Sequence, residues 1–77
     1  MAKKITLYTV PGCFYCQMVK DFFRQNNISY EEKDVSDNIA RQEMIEKSDQ
    51  LKVPVIDIDG QIIIGYDEEE LQAICTM

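Results

Sequence analysis

The chain contains no histidine and only three cysteines. Structural zinc takes four ligands, mostly Cys and His, so a zinc centre built from these side chains lacks its donors. Three cysteines are also an odd number and too few for a disulfide scaffold of the secreted type. The thiols are therefore expected to react, inside a cell, and not to staple a fold. Two prolines and three glycines in 77 residues leave no composition for a disordered linker, and the length fits one domain, residues 1–77. Positive charge is scarce: eight Lys and Arg stand against fourteen Asp and Glu, a net charge of -6. The basic residues are scattered, whereas a phosphate track needs them clustered, so no nucleic-acid partner is expected. Long apolar runs are missing too. Thr6 and Thr9 interrupt the stretch after Met1-Ala2-Lys3-Lys4, so neither a secretory leader nor a membrane span is expected, and the cytoplasm is the expected location. Met77 reads as the natural or near-natural end.

Against these absences stands one dense motif, Cys13-Phe14-Tyr15-Cys16. Two thiols three residues apart, after the alternating segment Lys4-Ile5-Thr6-Leu7-Tyr8 and before a helical pattern, describe a dithiol redox centre on a strand-to-helix turn. The reactive species in thiol-disulfide exchange is the thiolate. A thiol at a helix N-terminus faces unpaired backbone N–H groups and the positive end of the helix dipole, which lower its pKa. Cys13 holds that position, with Pro11 and Gly12 shaping an open approach. Cys16, one turn deeper, is expected to be more buried and to resolve the mixed disulfide formed at Cys13.

Hydrophobic periodicity organises the remainder. Tyr15, Met18, Val19, Phe22 and Phe23 recur at helical spacing and predict an apolar stripe that ends near Asn26-Asn27. Ile28, Tyr30 and Glu32 alternate with Ser29, Glu31 and Lys33 as a short solvated strand. Ser36-Asp37-Asn38 supplies caps for a helix over Asp37 to Lys47 with Ala40, Met44 and Ile45 inward. The apolar runs Val53 to Ile58 and Gln61 to Ile64, joined by Asp59-Gly60, predict a hairpin with a type I′ turn. Asp67 and Glu70 form a capping box for a last helix whose inner face carries Leu71, Ile74 and Cys75. Cys75 reads most simply as a small buried hydrophobe, with a regulatory or intermolecular thiol as the alternative. The order is βαβ, a helix, then ββα. A crossover makes its strands parallel and a two-residue hairpin makes its strands antiparallel, so a four-stranded mixed sheet flanked by three helices is expected.

That α/β order, with Cys-Phe-Tyr-Cys at the first βα turn, Val53-Pro54 opening the third strand and Gly65-Tyr66-Asp67 before the last helix, resembles the glutaredoxins within the thioredoxin-like fold. More narrowly it is similar to the short bacterial and archaeal glutaredoxin-like proteins and the redoxins associated with ribonucleotide reductase. The resemblance covers nearly the whole chain. It implies a cis peptide at Pro54 beside the cysteine pair, with the backbone of Val53 pairing with an incoming thiol peptide. It also implies that the stretch Gly65-Tyr66-Asp67 holds the γ-glutamyl end of glutathione: backbone N–H groups take its carboxylate, and Asp67, with Glu68 second, takes its ammonium. On local sequence alone the same stretch reads equally as a turn and a helix cap. Tyr15 sits where the family places an aromatic beside glutathione, and Lys52 where a contact to its glycine carboxylate is available; core packing and a plain surface lysine are the alternative readings.

Three positions depart from the pattern. Phe14 replaces the proline usual between the cysteines, Val10 replaces a basic residue beside the active site, and Ile64 replaces the first of a glycine pair. Some relatives also carry selenocysteine at the position of Cys13. The resemblance implies a thiol-disulfide oxidoreductase that reduces disulfides or glutathione mixed disulfides, with no tightly bound cofactor, no metal, and glutathione or another small thiol as co-substrate. Disulfide-containing proteins are the expected partners of a monomeric protein. One alternative is a redoxin reduced by a thioredoxin reductase and serving ribonucleotide reductase. Another is a non-enzymatic carrier holding an iron-sulfur cluster through Cys13 and glutathione, which would purify brown.

Overall fold

The computed structural model describes residues 4–75, with side chains through residue 73; the expectations for Ile74, Cys75 and Met77 lie outside those described side chains. The elements are β1 (Ile5–Thr9), α1 (Phe14–Gln25), β2 (Glu31–Asp34), α2 (Asn38–Ser48), β3 (Val55–Ile58), β4 (Gln61–Ile64) and α3 (Glu68–Cys75). The strands form one mixed sheet in the order β2-β1-β3-β4, with β1 and β2 parallel and the other two pairs antiparallel. This is the thioredoxin-like α/β arrangement expected from the motif order.

Two apolar layers hold it together. On one face Val19, Phe22 and Phe23 of α1 and Leu71 of α3 pack against Ile5, Leu7, Ile56, Ile58 and Ile63. On the other, Ala40 and Met44 of α2 pack against Tyr8, Val35 and Val55. With a helix layer on each face, the central strand β1 is buried at every residue. Its polar residues Thr6 and Thr9 are buried with the apolar ones. Edge strand β2 starts later than the alternation suggests, at Glu31, because Ile28 and Tyr30 pack on the core under α1.

Local chemistry sets the boundaries. Asn27 ends α1 with a left-handed residue (φ 55°). Its N–H donates to the Arg24 carbonyl and that of Ile28 to the Phe23 carbonyl (3.2 and 2.8 Å), a Schellman ending with asparagine in the usual glycine place. Asp37 caps α2 by accepting from the Ala40 N–H (3.0 Å). Asp59 and Gly60 have φ of 50° and 95°, both positive as a type I′ turn requires.

Ion pairs tie the layers at their edges. Lys20 on α1 meets Glu32 on β2 at 2.6 Å, and the buried Thr9 hydroxyl donates to the same Glu32 oxygen side at 2.8 Å. The Lys20 ammonium holds the Glu32 carboxyl below the usual carboxylate range, with burial opposing and Thr9 assisting. A carboxyl depressed in the folded state stabilises above its unfolded pKa, and that stability is lost as pH falls through its folded value. Glu32→Gln should therefore flatten the acid limb of stability. Urea midpoints measured from neutrality down through the carboxylate range test this, and an unchanged acid slope would contradict it.

Candidate active site

After β1, the segment Val10-Pro11-Gly12-Cys13 turns back on itself, with the Cys13 N–H directed at the Val10 carbonyl (3.4 Å). Pro11 fits the first corner of such a turn, and Gly12, at φ 80°, supplies the positive φ of a type II second corner. Cys13 then has extended backbone and serves as the N-cap of α1. Its Sγ accepts from the Cys16 N–H at 3.1 Å, the bond that a serine or aspartate oxygen makes in an ordinary cap. A negative sulfur at this place would be stabilised by that N–H and by the helix dipole. The two cysteines are joined as a disulfide, with Cα atoms 5.2 Å apart. Cys13 is half-exposed while Cys16 is 1% exposed, the asymmetry expected of an attacking and a resolving sulfur.

Sheet register brings the other motif segments to the same end. Tyr8 of β1 is opposite Val55 of β3, which places Val53 and Pro54 beside the turn that leads to Cys13. Val55 is opposite Ile64 of β4, and the Gly65 N–H donates to the Pro54 carbonyl at 2.8 Å. The Val53-Pro54 peptide is cis. Cys13, Cys16, Val53, Pro54, Gly65, Tyr66 and Asp67 thus share one end of the sheet.

The individual side chains divide more sharply. Tyr66 packs half-buried on the core under α1 and α3. Asp67 accepts from the Glu70 N–H through Oδ1 at 3.2 Å, so the cap is real, and a carboxylate's second oxygen remains for another donor. Glu68 opens α3 and is exposed. Tyr15 is 58% exposed although it continues the helical spacing of Met18 and Phe22; the buried residue of that first turn is Cys16, 1% exposed. Tyr15 instead packs edge-to-face with Phe14, ring centres 5.7 Å apart.

Lys52 is exposed, and its backbone is held by a residue that sequence reasoning missed. The Gln50 side chain accepts from the Lys52 N–H (2.6 Å) and donates to the Lys52 carbonyl (3.0 Å), which fixes the loop entering Val53-Pro54. Glutamine carries no local signal of that role. Val10 is also missed as a packing residue. It is half-buried against the α2-side core with Val53, so a basic side chain placed there, three residues before Cys13, must leave the core. In the reduced protein, Val10→Lys is expected to lower the Cys13 pKa, because a cation near the thiolate favours the charged form. Thiolate absorbance against pH in both proteins checks this, and an unchanged or raised pKa in the variant would contradict it.

A redox cysteine pair capping a helix, beside a cis-proline loop on a mixed α/β sheet, defines a thioredoxin-fold thiol-disulfide exchange protein. The glutaredoxin family model matches residues 5–63. The chain belongs to the glutaredoxin family, and it is a glutaredoxin-type thiol-disulfide oxidoreductase. It is 37% identical to a glutaredoxin-like 8.6 kDa protein of the rubredoxin operon of Clostridium pasteurianum, over 91% of this chain and 95% of that protein. Against glutaredoxin 3 of Escherichia coli K12 the identity is also 37%, over 83% and 78%. The solved thioredoxin-like protein BC3987 superposes with a TM-score of 0.87 at 40% identity, over 92% of this chain and 99% of that one.

Proposed function

We propose that the protein reduces protein disulfides and glutathione mixed disulfides through nucleophilic attack by Cys13 and resolution by Cys16, with glutathione as the co-substrate. The observation that carries this reading is the meeting of three segments at one end of the sheet: the capping sulfur of Cys13, the loop at Val53 and Pro54, and Gly65-Tyr66-Asp67, tied by the bond from Gly65 to Pro54. An extended thiol peptide lying along Val53 points its sulfur at Cys13 and its far end at the N-terminus of α3. There the N–H groups suit a carboxylate, and Asp67 suits an ammonium. In this reading the protein acts as a monomer in the cytoplasm, with no tightly bound cofactor.

The weight of each contact follows from its chemistry. Backbone contacts need no particular side chain, and the lost contact at Val10 is one exposed ion pair, worth about 0.2 to 1 kcal/mol. Glutathione should therefore bind a few-fold more weakly than with a basic residue there. Recognition then leans on Asp67. Asp67→Ala is expected to raise the KM for a glutathione mixed disulfide several-fold while the rate with a simple dithiol stays as it was. If both stay unchanged, Asp67 is only a helix cap, and a redoxin fed by a thioredoxin reductase becomes the better reading. Parallel assays with glutathione plus its reductase, and with thioredoxin reductase, decide the donor.

A further inference from the structure

From the cysteines, one face of α1 runs along a groove of about 210 Å³ between α1 and α3, lined by Met18, Asp21, Phe22, Gln25, Tyr66 and Glu68. Its floor is apolar: Met18, Phe22 and Tyr66. Its rims carry carboxylates, Asp21 from α1 and Glu68 from α3. Asp21 is partly neutralised, paired with Arg24 and accepting from Gln17. Among the described residues Glu68 accepts a long 3.4 Å bond from Gln72, and no cation pairs with it. Phe14, 73% exposed, and Tyr15, 58% exposed, stand in edge-to-face contact. Both lie one helical turn before Met18, so they share a face of α1 with the groove floor.

A groove with an apolar floor and a carboxylate without a cation partner at its rim suits a methylene stem that ends in a cation. Deepening the oxidoreductase reading on which it rests, we infer that the groove receives a lysine or arginine of a protein substrate whose disulfide is being reduced. Phe14 and Tyr15 pack against that substrate's apolar neighbours, as exposed paired aromatics do at contact hot spots. Spacing narrows the choice. Met18 and Asp21 follow Cys13 by roughly 7.5 and 12 Å along the helix axis at 1.5 Å per residue. An extended segment covers about 3.3 Å per residue, so the cation belongs two to four residues from the attacked cysteine. The local charge agrees, since Asp67, Glu69 and Glu70 are exposed beside Glu68.

The exchange itself balances without another reactant. The Cys13 thiolate attacks one sulfur of the substrate disulfide, and the other leaves as a thiolate that takes a proton from water. Cys16, having lost its proton to water, attacks the Cys13 sulfur, forms the Cys13–Cys16 disulfide and releases the second substrate thiolate. Two electrons pass from protein to substrate, and dithiothreitol returns them in the assay.

The test uses the full chain with dithiothreitol and no glutathione. Its substrates are three cyclic disulfide peptides that differ only at the third residue from the attacked cysteine: lysine, norleucine or glutamate. At low ionic strength kcat/KM should favour lysine over glutamate about tenfold, with norleucine between. High salt should pull lysine and glutamate together while norleucine changes little. Glu68→Lys should reverse the order of the charged pair, and Phe14→Ala should lower kcat/KM for all three peptides several-fold. Equal rates for the three peptides, or an order untouched by Glu68→Lys, would overturn the groove assignment. Bis(2-hydroxyethyl) disulfide, too small to reach the groove, separates the two levels. If the protein reduces it but does not distinguish the peptides, the groove assignment alone falls; if it reduces neither, the oxidoreductase reading falls with it.

Discussion

Replacing Cys13 by serine should abolish disulfide turnover, whereas replacing Cys16 should spare glutathione mixed disulfides and lose protein disulfides. The difference follows from the placement of the two sulfurs. Cys13 is half-exposed, caps α1 and receives the Cys16 N–H, so it can be held as an anion and can be reached. A serine hydroxyl there keeps the cap but is no nucleophile near neutral pH. Cys16 is 1% exposed and meets only a sulfur already delivered to Cys13. Without it, the first exchange still proceeds, and a small thiol can release a glutathione adduct. A protein disulfide, which needs the second intramolecular attack to be released reduced, stays trapped. Steady-state rates with both substrate types for the two variants check this. Activity surviving in Cys13→Ser and lost in Cys16→Ser would reverse the roles.

Phe23→Ala should bring the fold close to collapse. Phe23 is fully buried between α1 and the sheet, with Tyr30 at 4.9 Å between ring centres, and its carbonyl accepts the Ile28 N–H that ends α1. Truncating a buried Phe to Ala costs about 3 to 5 kcal/mol, against a total for small domains of about 5 to 15 kcal/mol. The urea midpoint should fall steeply. Because α1 carries Cys13 at its N-terminus, partial loosening of this helix should also raise the Cys13 pKa, as the dipole and the Cys16 N–H lose their fixed aim. A midpoint shift of only a few tenths of a kcal/mol would show that the face under α1 repacks freely.

How far the sequence could be read depended on whether the signal was local. The cap at Asp37, the turn at Asp59-Gly60 and the Cys-x-x-Cys helix start are contained in a few adjacent residues, and each lies in the structure where its chemistry put it. The family pattern added the cis bond at Pro54, which local propensity alone disfavours. Errors arose where the neighbour is distant in sequence. Tyr15 stays exposed although its spacing continues the stripe of Met18 and Phe22. Gln50, which holds the loop before Val53, and the Thr9–Glu32–Lys20 link join residues whose types are common on any surface. The groove between α1 and α3 was equally invisible, because Met18 and Glu68 are 50 positions apart and meet only after the strands have paired.

The central claim, that Cys13 at the helix cap is the sulfur that takes the substrate, is tested most directly by trapping. Reduced Cys16→Ser protein is mixed with glutathione disulfide near neutral pH, quenched by alkylation, and mapped by mass spectrometry. The prediction is one glutathione per chain, attached at Cys13, with Cys75 free of glutathione. An adduct confined to Cys75, or no adduct while the fold remains intact, would contradict the account.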